Sequence, residues 1–274
     1  MNKYLSFLFY LPPFFFAGAF FPLTRYYWLA VPVGALFALP FLFLLEYLLN
    51  RPNLSCIPRA FAAAMAVLLG GASLYGFARF SRTCVLTETP AFLLPLVLFA
   101  FSLWLSLKST WSSEKLTKMA GPVLAFLFVV SIVSTAFKIR GDYLPLLEEI
   151  VPLSQTALKQ EFLPAALLSF FLYLVQSFIL FALFSGAKKT SPVLKDTMKG
   201  LFLGTGLLSV ALLLTVLVLG PHVFEMLSFP LYFPPGFANQ AEYLERIEIL
   251  YLTLFLFSTF VQISLFLQSV KKAI

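Results

Sequence analysis

Charged residues are so unevenly spread along this chain that eight runs contain no Asp, Glu, Lys or Arg: residues 4–24, 26–45, 60–78, 89–107, 119–137, 162–187, 200–221 and 249–270. The shortest of these runs has 19 residues, and about 20 apolar residues cross the hydrocarbon core of a bilayer as a helix. The runs are continuously apolar and lack the two-residue alternation of barrel strands. Lipid offers nothing to hydrogen-bond, so a spanning segment of this kind satisfies its own backbone as a helix. The pattern predicts an all-α, polytopic membrane helical bundle of about eight transmembrane helices, forming a single integral membrane domain over residues 1–274. Composition agrees: 11% of residues are charged, where soluble domains carry about 25%.

The basic residues orient the bundle. With the N-terminus cytoplasmic, twelve Lys and Arg fall inside (Lys3, Arg51, Arg59, Lys108 and Lys272 among them) and seven fall outside, including Arg25, Arg79, Arg82 and Arg246. The positive-inside rule then places both termini in the cytoplasm. The net charge of +7 is made of residues standing singly or in pairs between apolar runs. They read as topology signals rather than as a nucleic-acid surface.

Function classes fall away in the same manner. Two distant Cys and one His build neither a disulfide framework nor a metal centre. No Gly-rich phosphate loop and no nucleophile elbow is present. The expectation is a protein that is not an enzyme and holds no cofactor. The N-terminus imitates a signal peptide, with Lys3, an apolar run and Ala17-Gly18-Ala19. Its run is longer than a typical signal core and Pro12-Pro13 interrupts it, so it reads as the first membrane helix.

Polar residues inside the runs mark the candidate site. Gly18, between Pro12-Pro13 and Pro22, is the expected break in the first helix. Broken helices at membrane depth line cavities, although a proline-kinked span explains the same residues. Tyr173, Gln176 and Ser177 lie near the middle of the sixth run, and Ser258, Thr259 and Gln262 near the middle of the eighth. Each group is either a ligand contact or interhelical glue. In the third run, Gly70, Gly71, Ser73 and Gly76 are small residues suited to close packing. The segments 108–118 and 188–199 read as basic inner loops, and Thr89-Pro90 as the start of the fourth helix. The uncharged but Pro-rich stretch 226–241 reads as an outer lid or a loop dipping into the interface.

The last run opens on a charge cluster, Glu242-Tyr243-Leu244-Glu245-Arg246-Ile247-Glu248. Its acidic members sit near the positive end of the helix dipole, and Glu242 and Arg246 are four apart, on one helix face. Glu242, Glu245 and Arg246 are therefore structural candidates at the membrane interface.

Four pieces occur in an order that resembles the spore germination permease family, the membrane-embedded B subunit of GerA-type nutrient germination receptors. They are Leu86-Thr87-Glu88-Thr89-Pro90, Tyr143-Leu144-Pro145-Leu146, Phe229-Pro230-Leu231 and Leu244-Glu245-Arg246-Ile247-Glu248. The resemblance implies a LeuT-like fold within the amino acid–polyamine–organocation superfamily. It implies a site for a small nutrient, such as an amino acid, between broken helices one and six, flanked by three and eight. Partners would be membrane lipid and the A and C subunits of a germinant receptor, and the location the bacterial inner (spore) membrane. The chain departs from the family in three ways: Gln176 stands where members often carry Glu, Ser112-Ser113-Glu114-Lys115 stands where members often carry Gly-Leu-Glu-Arg, and the family usually has ten helices where this chain has about eight. Two other functions fit the same pattern, an amino acid transporter and a membrane assembly subunit that binds no ligand.

Overall fold

A computed structural model of the chain describes residues 2–49, 56–85, 90, 92–108, 110–136, 155–184, 191–232 and 248–273. The described residues are helical, with no strand among them. The long helices are α1 (Lys3–Phe16), α2 (Tyr27–Leu49), α3 (Cys56–Phe80), α4 (Leu93–Leu107), α5 (Thr110–Ala136), α6 (Leu163–Phe184), α7 (Ser191–Leu219) and, after the short α8 (Pro221–Met226), α9 (Glu248–Ala273). Six of them, α2, α3, α5, α6, α7 and α9, are long and apolar enough to cross a membrane. That makes the bundle compatible with an integral membrane protein.

Helix bounds differ from the charge-free runs in a consistent direction. α5 begins at Thr110 and α7 at Ser191, so much of the expected inner loops 108–118 and 188–199 is helix. Lys115, Lys118, Lys195 and Lys199 sit on the first turns. A charge marks where hydrocarbon ends, and a helix with its hydrogen bonds made internally runs on into the interface. Lys115 lies over the Trp111 ring at 5.2 Å, an arrangement that suits this boundary. α4 starts at Leu93, three residues after the expected Pro90.

The first run is where expectation and structure part most. α1 has 14 residues, about 21 Å at 1.5 Å per residue. It ends at Phe16 in a 3-10 turn, Ala17–Ala19, and the chain then passes without further helix to α2. There is an interruption at Gly18, but no second half-helix follows it. α6 is continuous, unlike the broken helix six that the resemblance implies. Its interior explains this: from Ala165 to Phe184 it holds neither Gly nor Pro, and nothing opens the hydrogen-bond ladder.

α1 is the axis of the bundle. Eleven of its residues are buried, the state expected of a helix that is apolar on every side. Its aromatic residues reach outward to a different helix each time. Phe9 meets Phe266 of α9 edge-on at 5.3 Å, Phe14 meets Tyr173 of α6 at 4.6 Å, and Phe16 meets Phe77 of α3 at 6.3 Å. The surrounding helices approach through glycines. A Cβ at Gly76 of α3 would strike Phe16, one at Gly121 of α5 would strike Tyr4, and one at Gly200 of α7 would strike Ser6 and the backbone of Lys3 and Phe7. Within lipid, apolar surface alone does not drive helices together, so this close packing carries the association. Gly200 and Gly204 form a small-xxx-small pair facing α1 that the charge and motif patterns do not single out. Gly70 lies against Phe266, whereas Gly71 has open space beside it.

Contacts sort the helix ends into two sets. At one end, Asn2 caps α1 by accepting from Leu5 N at 2.9 Å and donates to Glu114 O at 2.8 Å. Gln268 donates to Ser113 Oγ at 2.9 Å, and Lys272 donates to Leu183 O. At the other end, Arg79 donates to Ala19 O at 2.6 Å, Glu225 accepts from Arg25 N at 3.2 Å, and Arg25 lies 3.7 Å from Glu161. These two sets match the alternation of direction that the charge runs predict. Of the expected lid, residues 226–232 are described, running from the end of α8 to a 3-10 turn, Pro230–Tyr232, at the Arg79 end, and residues 233–241 lie outside the described residues. There Phe229 and Tyr232 meet the buried Phe80 ring at 5.4 and 5.2 Å. The charge cluster of Glu242, Glu245 and Arg246 lies outside the described residues.

Candidate functional site

The site begins with a missing proton. Proline has no backbone N–H, so Pro13 cannot donate to the carbonyl four residues earlier, that of Phe9. α1 nevertheless stays helical through Pro12 and Pro13. A buried carbonyl without a donor costs about 1–3 kcal/mol, and in lipid no water relieves it. Two other helices supply donors. Gln176 Nε2 of α6 donates to Phe9 O at 2.8 Å, and Gln262 Nε2 of α9 donates to the same oxygen at 3.3 Å. Both side chains are fully buried. The geometry fixes which way each amide points, because only its nitrogen can donate.

A third helix joins through the other atom of Gln262. Ser73 of α3 donates its hydroxyl proton to Gln262 Oε1 at 2.9 Å. Gln176 Oε1 has no partner among the described residues. Beside this cluster Ser177 Oγ donates to its own helix at Tyr173 O, 2.6 Å away. Its one proton is thereby used, so Tyr10 Oη donates to Ser177 Oγ across 2.7 Å. Thr205 of α7 donates to Tyr173 Oη at 2.9 Å.

The candidate residues thus divide. Gln176 and Gln262 converge on one atom of α1, and Tyr173 and Ser177 lie beside them around Tyr10. Ser258 and Thr259 are buried but turn back to their own helix, both donating to Phe255 O, at 3.1 and 2.7 Å. Gly18 stands apart, in the 3-10 turn after α1, where a Cβ would strike Ser228 O. Three participants are not among the residues expected from the sequence: Phe9, Tyr10 and Thr205. Ser73 was expected only in packing. The usable signal is a proline inside an apolar run together with amide side chains in two others, since the proline frees a carbonyl and an amide can meet it.

A half-open cavity of about 250 Å³, rimmed by the exposed Phe20 and Phe21 rings, lies next to this cluster. Pro13, Phe16 and Ala17 of α1 form one wall, Ala72 and Ser73 of α3 a second, and Leu168 and Leu172 of α6 a third. Ser73 gives the wall a hydroxyl, and the carbonyl end of α1, at Phe16 and Ala17, favours positive charge nearby. Among the described residues no group of His, Cys, Asp and Glu is placed to hold a metal ion.

No family model, no curated protein and no solved structure matches the chain.

Proposed function

We propose that the chain is a membrane subunit that senses a small nutrient with an apolar body, such as an amino acid, in the manner of the B subunit of a spore germinant receptor. The observation that carries the reading is the position of the cavity. Its walls come from the first, third and sixth of the long helices, and the sequence resemblance places a nutrient between helices one and six, flanked by three and eight, of which, among the described residues, the last does not line this cavity. The same reading has α1 and α4 completing eight crossings in a LeuT-like arrangement, both termini cytoplasmic, and the receptor's A and C subunits as partners. The apolar walls suit a side chain such as that of leucine and, among the described residues, hold no counter-ion for a carboxylate side chain.

Two alternatives meet specific observations. A proton-coupled amino acid transporter needs an ionisable group within the membrane, and among the described residues the buried polar side chains are Ser, Thr and Gln together with the hydroxyls of Tyr10, Tyr26, Tyr27 and Tyr173. A ligand-free assembly subunit is favoured by the glutamines, whose amide nitrogens are already engaged by Phe9 O. The cavity separates it from a sensor. Thermal unfolding of the purified protein with a panel of amino acids tests the choice, because a ligand at 100 times its Kd stabilises by about 2.7 kcal/mol. L-Leucine, L-valine or L-phenylalanine should raise the midpoint and L-glutamate should not. Ala72→Phe, which fills the cavity, should abolish the shift. No response to any amino acid, or a response that survives Ala72→Phe, refutes the reading.

A further inference from the structure

We infer that Ser73 is a relay that reports occupancy of the cavity to the proline hinge of α1, by turning its single hydroxyl proton from Gln262 to an acceptor group on the ligand. The inference rests on the reading of the cavity as a ligand site and adds how an occupant acts there.

Three placements carry it. Ser73 and Pro13 both stand on the cavity wall, so the ligand space touches the relay and the hinge at once. The Ser73 hydroxyl donates to Gln262 Oε1 at 2.9 Å, and Gln262 Nε2 in turn holds Phe9 O at 3.3 Å. Phe9 O is the carbonyl that Pro13 leaves without a backbone donor. One chain of bonds therefore runs from the cavity wall on α3, through α9, to the hinge in α1.

A serine hydroxyl has one proton and two lone pairs. An occupant with a carboxylate accepts the hydrogen bond from that proton, which stays on Ser73 Oγ, because a charged acceptor outcompetes a neutral amide oxygen. Gln262 Oε1 then has no donor in a fully buried position, which is unfavourable, and the Gln262 amide turns away. Phe9 O keeps Gln176 alone, at 2.8 Å. The tie between α1 and α9 is loosened at its middle while the ring contacts around it persist. An amine does not do this. It donates to a lone pair of Ser73 and leaves the Ser73 hydroxyl donating to Gln262. The relay thus tells an amino acid from the amine of the same shape.

L-Leucine and isopentylamine share an apolar body and differ by the carboxylate, so they are the probes. Backbone amide exchange is followed by mass spectrometry on the purified full chain, with binding of each probe checked by thermal unfolding. L-Leucine should speed exchange in peptides covering residues 5–16 and 255–265 by about threefold relative to isopentylamine. That factor corresponds to about 0.6 kcal/mol, the average worth of an interhelical side-chain hydrogen bond in a membrane protein. Ser73→Ala should show the faster exchange without any probe and lose the difference between probes. Ser73→Thr keeps the hydroxyl and should preserve the difference, and Ser73→Cys, a weak donor, should fall between. If both probes bind and α1 exchanges equally with each, the relay is wrong while the nutrient site stands. If neither probe binds, the reading of the cavity fails and the relay with it. Slow exchange in probe-free Ser73→Ala, equal to that of the natural chain, also overturns the relay.

Discussion

The two glutamines on Phe9 O should behave as a coupled pair, and Pro13 should be the cause. Consider Gln176→Leu. It removes the 2.8 Å bond to Phe9 O, worth on average about 0.6 kcal/mol in membrane proteins and about 1.7 at most. It also removes Gln176 Oε1, a buried acceptor without a partner, whose burial costs about 1–3 kcal/mol. The two effects oppose, and the net change should lie within about 1 kcal/mol of zero. Gln262→Leu loses the longer 3.3 Å bond and releases Ser73. A freed serine hydroxyl can turn to the carbonyl one turn back on its own helix, so this loss too should be about 1 kcal/mol. In the double substitution Phe9 O has no donor at all, and the penalty of about 1–3 kcal/mol for an orphaned carbonyl appears in full. The cycle should therefore show an interaction energy of about 1–2 kcal/mol, against the roughly 0.5 kcal/mol within which independent sites add. Pro13→Ala restores a backbone N–H aimed at Phe9 O. Repeating the cycle in that background cancels every effect of the alanine common to all four variants, including relief of the proline ring, and the interaction energy should collapse towards zero. Unfolding in mixed detergent micelles, followed by tryptophan fluorescence, measures all eight variants. An additive cycle with Pro13 present refutes the reasoning. So does an equal interaction energy with and without Pro13→Ala, which would mean the glutamines couple through something other than the freed carbonyl.

Two further outcomes follow from the packing and the topology. Gly200→Val should cost about 1–3 kcal/mol by overpacking, since its Cβ meets the backbone of α1, whereas Gly206→Val, with nothing within 4 Å, should be nearly neutral; the same unfolding assay compares them. A membrane-impermeant thiol reagent on intact cells should label Cys84, which is half-buried in the π-helical turn after α3, and spare Cys56, which begins α3. Labelling of Cys56 alone reverses the assigned orientation.

What the sequence made legible was the solvent of each segment. Charge is unfavourable in hydrocarbon whatever the neighbouring helices do, so the six long apolar helices could be read from single positions. Their ends could not, because the charge boundary and the helix end are set by different things. Lys115 and Lys199 are charged and helical at once. The centrality of α1 was half visible: Lys3–Phe16 is apolar on every side, and such a helix belongs inside. Its partners were not visible, because Phe against Gly is a matter of register between helices far apart in sequence, as Tyr4 on Gly121 shows.

The polar cluster was least legible, and the reason is specific. Polar side chains within apolar runs point to Gln176 and Gln262. The atom those two share is a backbone oxygen of a phenylalanine, which no side-chain inventory includes. Phe9 acquires its role from a residue four positions later, and Pro13 acquires its consequence from what cannot bond to it. Interior polar atoms in lipid must be matched in number, so a proline in a buried span predicts a carbonyl in want of a donor one turn back. The same rule frees the carbonyls of Leu8, Trp28, Leu36 and Lys118 behind Pro12, Pro32, Pro40 and Pro122, so residue types alone do not say which oxygen the glutamines meet. Ser177 and Thr259 both donate to the carbonyl one turn back on their own helix, and only the neighbouring Tyr10 hydroxyl, on another helix, draws Ser177 into the cluster.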